Sequence, residues 1–162
     1  MPDKIKNVFV SHHHKDDKCV DGLTNLVSAN GYKLRNSSIR LKPENQKRLD
    51  RKELNDNTIR RLLRSKMRWA GKLIVIIGKE TYQRYWVNWE IKVAHQLGMS
   101  IIGVYDNGLN DNVEIPQSLR DYATSIVGWS SNSIIKALEG KGTFEETDGN
   151  PSPRLEGRNI SC

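Results

Sequence analysis

Glu90 is the residue in this sequence best placed for chemistry, because it lies on the apolar side of a predicted helix. The helix begins at Tyr85-Trp86. At about 100° per residue, Val93 and Leu97 fall within roughly 20° of Trp86, and Glu90 falls at about 40°. A carboxylate on the buried side of a helix costs free energy unless it is paired, hydrogen-bonded or used in a reaction. In such a position it can stabilise positive charge in a transition state, as carboxylates do in glycoside hydrolysis.

Short apolar runs alternate with amphipathic helices, and this alternation positions Glu90. The predicted strands are 7–11, 32–35, 72–77, 100–105 and 125–129, and the predicted helices are 17–29, 57–70, 85–97, 119–122 and 131–138. Strands that alternate with helices favour a parallel sheet covered on both faces. We therefore expect a flavodoxin-like three-layer α/β/α fold with a central parallel sheet of about five strands. One domain should span residues 1–140, with a disordered polar tail over residues 141–162.

The predicted fold brings Glu90 close to one edge of the sheet. In open parallel sheets, ligands bind beyond the carboxyl ends of the strands. The loops expected at that edge are 11–16, the segment after Arg35, 78–85 and 106–111. Glu90 lies near the start of a helix that follows a strand, so we expect it to face the loop that begins at Ser11.

Two motifs resemble those of TIR domains. Residues 8–17, V-F-V-S-H-H-H-K-D-D, resemble the first box of the family, in which a serine and an acidic helix start follow an apolar strand. They are most similar to the prokaryotic TIR-like branch, which has Ser-His-x-x-Lys-Asp after the strand. Residues 85–91, Y-W-V-N-W-E-I, resemble the Trp-x-x-x-Glu helix of enzymatic TIR domains, and residues 101–105 resemble the strand that follows it. The resemblance covers roughly residues 5–138.

Within this family, the chain is similar to the small stand-alone TIR-like proteins of Thoeris antiphage defence. The resemblance implies an enzyme that cleaves NAD+ at the nicotinamide-ribose bond. Its product would be an ADP-ribose-derived signal, often cyclic, that diffuses to a separate effector and activates it. NAD+ would be a consumed substrate and no cofactor is expected, in keeping with the absence of a Gly-x-Gly-x-x-Gly motif. The family's self-association makes a homo-oligomer a further expectation.

The resemblance also implies roles for individual residues. Glu90 matches the catalytic glutamate of the family. The side chains expected to bind substrate belong to the same two motifs and are Phe9, Ser11, His12, Tyr85 and Trp86. Trp86 matches an aromatic residue that shapes the pocket and, in cyclases, the product. The residues alone leave other roles open, since Glu90 could cap a loop amide and Trp86 could simply pack in the core.

The positive charge of the chain leaves two further hypotheses open. The net charge is +7, and residues 33–72 hold 14 Lys and Arg against 4 Asp and Glu. Such a region attracts polyanions. However, Arg60, Arg64 and Arg68, at helical spacing on the helix that Asn57 is expected to cap, also fit a solvated outer face opposite an apolar stripe of Ile59, Leu62, Leu63 and Met67. The long basic loop 36–56 departs from the shorter, more apolar loop of the family. The alternatives to an enzyme are a non-catalytic TIR-like adaptor that acts through protein assembly and, less favoured, a nucleic-acid binder.

Metal binding, membrane insertion and secretion are not indicated. Consecutive histidines at positions 12–14 point to alternate sides of an extended segment and cannot readily share one ion. No apolar run approaches the roughly 18 residues of a membrane span. The first six residues lack the apolar region of a signal peptide. The cysteines, Cys19 and Cys162, fit a reducing compartment, so we expect a cytoplasmic protein. Because the histidines cannot readily share one ion, we expect no bound metal.

Overall fold

The computed structural model describes residues 7–12, 17–36, 56–79, 81–83, 85–106, 113–141 and 144–145. The strands in these residues are β1 (Asn7–Ser11), β2 (Lys33–Asn36), β3 (Lys72–Ile77), β4 (Ser100–Tyr105) and β5 (Ser125–Val127). The helices are α1 (Asp17–Ser28), α2 (Asp56–Arg68), α3 (Tyr85–Gln96), α4 (Gln117–Tyr122) and α5 (Ser131–Leu138), with a 3-10 turn at Thr81–Gln83. Residues 37–55 of the predicted basic loop lie outside the described residues.

The described strands form one parallel sheet in the order β2-β1-β3-β4-β5. The chain runs outward from β1 to β2, returns past β1 to β3, and then continues through β4 to β5. The direction of winding therefore reverses between β1 and β3, which is the topological switch point of such a sheet. Ser11, the last residue of β1, pairs with Val75 of β3 at this point. The predicted five-stranded parallel sheet is confirmed.

Alternating side chains on the strands build two apolar layers, one on each face of the sheet. On β3, Leu73, Val75 and Ile77 belong to the cluster that also holds Leu63 of α2 and Ile91 of α3. The intervening β3 residues contribute to the opposite cluster, with apolar residues of α1 and α5; these are Ile74, Ile76, Leu23, Val27, Ile134 and Leu138. The sheet is thus sandwiched between α2, α3 and α4 on one face and α1 and α5 on the other. This is the expected α/β/α arrangement.

Helix α2 differs from its sequence prediction in two details. It begins at Asp56, so Asn57 lies inside the helix instead of capping it. Leu63 and Met67 are fully buried, but Leu62 is 42% exposed, and its place in the predicted apolar stripe was wrong. Leu62 projects about 100° away from Leu63, beyond the arc of the helix that contacts the sheet. Of the three arginines predicted for the charged outer face, Arg68 is exposed, whereas Arg60 and Arg64 are half-buried.

Glycines follow two helices close to the ends that the sequence predicted. Gly31 and Gly98 follow α1 and α3 with φ values of 84° and 73°, the left-handed conformation that glycine adopts without a Cβ clash.

Among the described residues, no helix is both long enough and apolar enough to cross a membrane.

Part of the C-terminal segment contacts the sheet beside β5. Phe144 forms a parallel bridge with Ile126, and the amide of Glu145 donates a 2.7 Å hydrogen bond to the Ile126 carbonyl. The Glu145 carboxylate accepts hydrogen bonds from the Gly128 amide at 2.9 Å and from the Ser133 hydroxyl at 3.1 Å. Within the predicted tail, only Lys141 and these two residues are among those the structure describes.

Candidate active site

Glu90 is fully buried in the middle of α3. The buried face of this helix also contains Val87, Ile91, Val93 and Ala94, all between 0% and 2% exposed. These residues fall on both sides of Glu90 around the helix, so the carboxylate lies within the buried arc. The predicted burial of Glu90 is confirmed. Such a carboxylate has lost its hydration, and protein donors must compensate for that cost.

Ser11 provides one of the donors to Glu90. Its hydroxyl donates a buried hydrogen bond of 2.8 Å to Oε1 of Glu90. The two residues are 79 positions apart in the sequence, and the fold brings together the end of β1 and the middle of α3. The bond lies beside the β1/β3 switch point, where parallel α/β folds bind their ligands. The expectation that Glu90 faces the loop beginning at Ser11 is therefore met by a direct contact.

Strand alternation explains why Ser11 points towards Glu90. Side chains two apart on a strand share a face, so Phe9 and Ser11 of β1 project to the same side of the sheet. Phe9 is fully buried in the cluster that also holds Val87 and Ile91 of α3. Phe9 thus belongs to the apolar layer on the face of the sheet that α3 covers. Its predicted contact with substrate stays a prediction.

The structure describes the other predicted site residues, His12, Tyr85 and Trp86, in differing detail. His12 follows β1 directly and is 1% exposed, so it belongs to the interior beside Ser11. His13 and His14 lie outside the described residues. Tyr85 and Trp86 form the first turn of α3, one turn before Glu90. The predicted roles of their side chains fall outside what the structure describes.

The start of α3 is held by residues for which the sequence predicted no role. The Thr81 hydroxyl accepts a 2.8 Å hydrogen bond from the Gly78 amide and donates to the Ile76 carbonyl at 3.3 Å. Asn88 donates to the Tyr82 carbonyl at 3.2 Å, which fastens the 3-10 turn to α3. Thr81, three residues after a glycine at the end of β3, has a spacing typical of side-chain turns and could have been recognised.

A second contact of Asn88 joins α3 to α4. The Ser118 hydroxyl donates a 2.7 Å hydrogen bond to Oδ1 of Asn88. The 3-10 turn, α3 and α4 are therefore connected through one amide side chain. No local sequence signal points to Ser118, because its partner lies 30 residues earlier.

Metal-binding groups do not gather in the part of the chain that the structure describes. No three His, Cys, Asp or Glu side chains there are arranged to hold an ion. His95 is exposed at the far end of α3, where its ring stacks on Tyr122 with centroids 4.0 Å apart. The buried carboxylate of Glu90, hydrogen-bonded to Ser11, suits electrostatic stabilisation of a cationic transition state.

Comparison with known proteins identifies the family. A relative from Bacillus cereus (strain MSX-D12), named "Putative cyclic ADP-D-ribose synthase ThsB1", is 29% identical over 144 residues, covering 89% of this chain and 72% of the relative. A solved structure from Burkholderia pseudomallei K96243, named "Putative pilus assembly-related protein", has a TM-score of 0.49 at 10% identity, covering 86% of this chain and 91% of that one. Residues 9–111 match the family model described as "Thoeris protein ThsB, TIR-like domain". The chain therefore belongs to the TIR-like domain family of the Thoeris protein ThsB.

Proposed function

We propose that this protein is an enzyme that cleaves the nicotinamide-ribose bond of NAD+ and uses Glu90 as its catalytic carboxylate. One observation carries the proposal: Glu90 is fully buried, yet hydrogen-bonded to Ser11 beside the topological switch point of the sheet. A carboxylate that served only packing would be an expensive choice at this position. At a ligand-binding edge it has a use, because it offers negative charge where solvent is excluded.

The cleavage of NAD+ at its nicotinamide-ribose bond suits a site built around a carboxylate. The bond between the ribose C1′ and the nicotinamide nitrogen breaks, and both electrons go to the nitrogen, so the pyridinium leaves as neutral nicotinamide. The ribose develops oxocarbenium character, and a carboxylate can stabilise that charge and bind the ribose hydroxyls. Glu90 would supply this stabilisation. Little acid catalysis is needed, since the leaving group is already cationic.

The second half of the reaction decides the product. If water reaches C1′, the product is linear ADP-ribose and one proton is released. If water is excluded, an adenine nitrogen or a ribose hydroxyl of the same molecule forms the new bond to C1′ and loses a proton, which gives a cyclic product. Trp86, one turn before Glu90, is the residue we propose to cover the reacting ribose. The name of the B. cereus relative, a putative cyclic ADP-D-ribose synthase, supports a cyclic ADP-ribose product.

The family supports a signalling role for that product. Thoeris TIR-like proteins are the group to which this chain belongs. We propose that the nucleotide formed here diffuses to a separate effector, so this protein need not contact the effector itself. Self-association of the chain is compatible with this role and stays a prediction.

Mass spectrometry of NAD+ incubated with the purified protein tests the proposal. The expected products are nicotinamide in equal amount to the NAD+ consumed and an ADP-ribose derivative, with the cyclic form lighter than linear ADP-ribose by one water. The same measurement on extracts of phage-infected cells would detect the activity of an enzyme that works only after infection triggers it. If NAD+ is unchanged in both settings while the protein is folded, the proposal fails and the non-catalytic adaptor is favoured.

A further inference from the structure

Ser11 is as deeply buried as Glu90. Both residues are 0% exposed. The Ser11 hydroxyl donates a hydrogen bond to Oε1 of Glu90, and the two oxygens are 2.8 Å apart. A hydroxyl has only one hydrogen to donate, so this one is already committed before any ligand arrives. That arrangement differs from the substrate contact that the sequence predicts for Ser11.

The two ends of the bond belong to different parts of the fold. Ser11 is fixed by parallel pairing with Val75 at the centre of the sheet, whereas Glu90 stands on a helix that packs against the sheet from one side. A glutamate side chain has several rotatable bonds and must be held in one rotamer to act on a reacting atom. A short hydrogen bond from a strand residue can hold it there.

We infer that Ser11 is a positioning residue, whose hydroxyl orients the Glu90 carboxylate towards the reacting ribose without touching the substrate. The inference rests on the proposed NAD+-cleaving function and adds a second residue to it. A charge-assisted hydrogen bond in a dry site is strong, and its loss should be felt mainly in the transition state. Substrate affinity in the ground state should change little.

The test compares steady-state NAD+ consumption by the parent, Ser11→Ala, Ser11→Thr, Glu90→Gln and the Ser11→Ala/Glu90→Gln double variant. For Ser11→Ala we expect kcat to fall by about 10- to 100-fold, with KM within about twofold of the parent. Ser11→Thr keeps the hydroxyl on a β-branched side chain suited to a strand and should recover most of the lost kcat. The double variant should be no slower than Glu90→Gln alone, since a residue that acts only through Glu90 has nothing left to position.

Thermal unfolding of each variant separates a folding defect from a catalytic one. Should Ser11→Thr be too large for the site, Ser11→Cys supplies a side chain of similar shape with a weaker donor, and its kcat should lie between those of the parent and Ser11→Ala. The inference is overturned if folded Ser11→Ala shows a raised KM with unchanged kcat, or if the double variant is slower than Glu90→Gln. With an active parent, either result leaves the proposed function intact. A folded parent that consumes no NAD+ both as purified protein and in extracts of infected cells overturns the inference and the proposed function together.

Discussion

The Ser118 hydroxyl donates a 2.7 Å hydrogen bond to Oδ1 of Asn88, two residues before Glu90 on α3. The same Asn88 side chain donates to the Tyr82 carbonyl in the turn that precedes the helix. Asn88 thus fastens the first turns of α3 to both neighbours. The position of Glu90 over the sheet depends on this fastening as well as on the apolar contacts below the helix.

Ser118→Ala should destabilise the protein by about 1 kcal/mol, because it removes the donor to Asn88 at a site that is 4% exposed. The loss is measured as the change in the free energy of unfolding in urea. Ser131→Ala is a suitable control, since Ser131 is exposed in the first turn of α5. Equal stability of the Ser118→Ala variant and the parent would show that the bond contributes nothing.

Gly103→Ala should destabilise the protein by about 1–3 kcal/mol through overpacking. A Cβ at this position in β4 would lie 2.9 Å from Cδ2 of Leu119 and 3.0 Å from Cδ1 of Ile77. The penalty should shrink in a Leu119→Ala background, where one of the two neighbours is removed. A urea-unfolding cycle of the two single variants and the double variant measures this coupling. Full additivity would contradict the close approach of α4 to β4.

Stability above pH 10 should depend on Tyr32. Burial raises the pKa of the Tyr32 phenol above its usual value, and the nearby Glu139 carboxylate raises it further. The unfolded chain then loses this proton at about pH 10, while the folded chain keeps it to higher pH. The contribution to stability is therefore complete below about pH 10 and is lost as pH rises towards the folded pKa. Tyr32→Phe should show a smaller loss of stability between pH 8 and pH 10.5 than the parent, and an identical loss would refute this.

Glu145→Ala should cost about 1–3 kcal/mol, because one carboxylate accepts from both the Gly128 amide and the Ser133 hydroxyl. These bonds join the end of β5 to the first turn of α5. Urea unfolding checks the value, and Glu114→Ala, at an exposed position, is the control. A variant as stable as the parent would mean that the two hydrogen bonds of the Glu145 carboxylate add nothing to the stability of the β5 edge.

The regular elements could be predicted where the apolar pattern was continuous. Strands β3 and β4 match the predicted residues, because β-branched runs buried on both faces give an unambiguous signal. The predicted last strand ran to Trp129, but β5 ends at Val127. Leu62 was misplaced because the apolar pattern of α2 is wider than the part of the helix that contacts the sheet.

The candidate site could be predicted in part. The helical position of Glu90 indicated burial, and strand order indicated its edge of the sheet, so both followed from local pattern and topology. The hydrogen bonds of Ser11 to Glu90 and of Ser118 to Asn88 could not be predicted as such. They join residues 79 and 30 positions apart, and their geometry depends on how α3 and α4 pack. The pairing of Phe144 with Ile126 was hidden for the same reason, inside a segment of polar composition.

The NAD+ consumption of Glu90→Gln, compared with that of the parent and of Glu139→Gln, tests most directly whether Glu90 is the catalytic carboxylate. Glutamine keeps the shape and an acceptor for the Ser11 hydroxyl but removes the negative charge, while Glu139 is exposed after α5. We expect Glu90→Gln to lose at least about 100-fold in kcat with its cooperative unfolding retained, and Glu139→Gln to match the parent. A folded Glu90→Gln protein that consumes NAD+ at the parental rate would contradict the proposed catalytic role of Glu90.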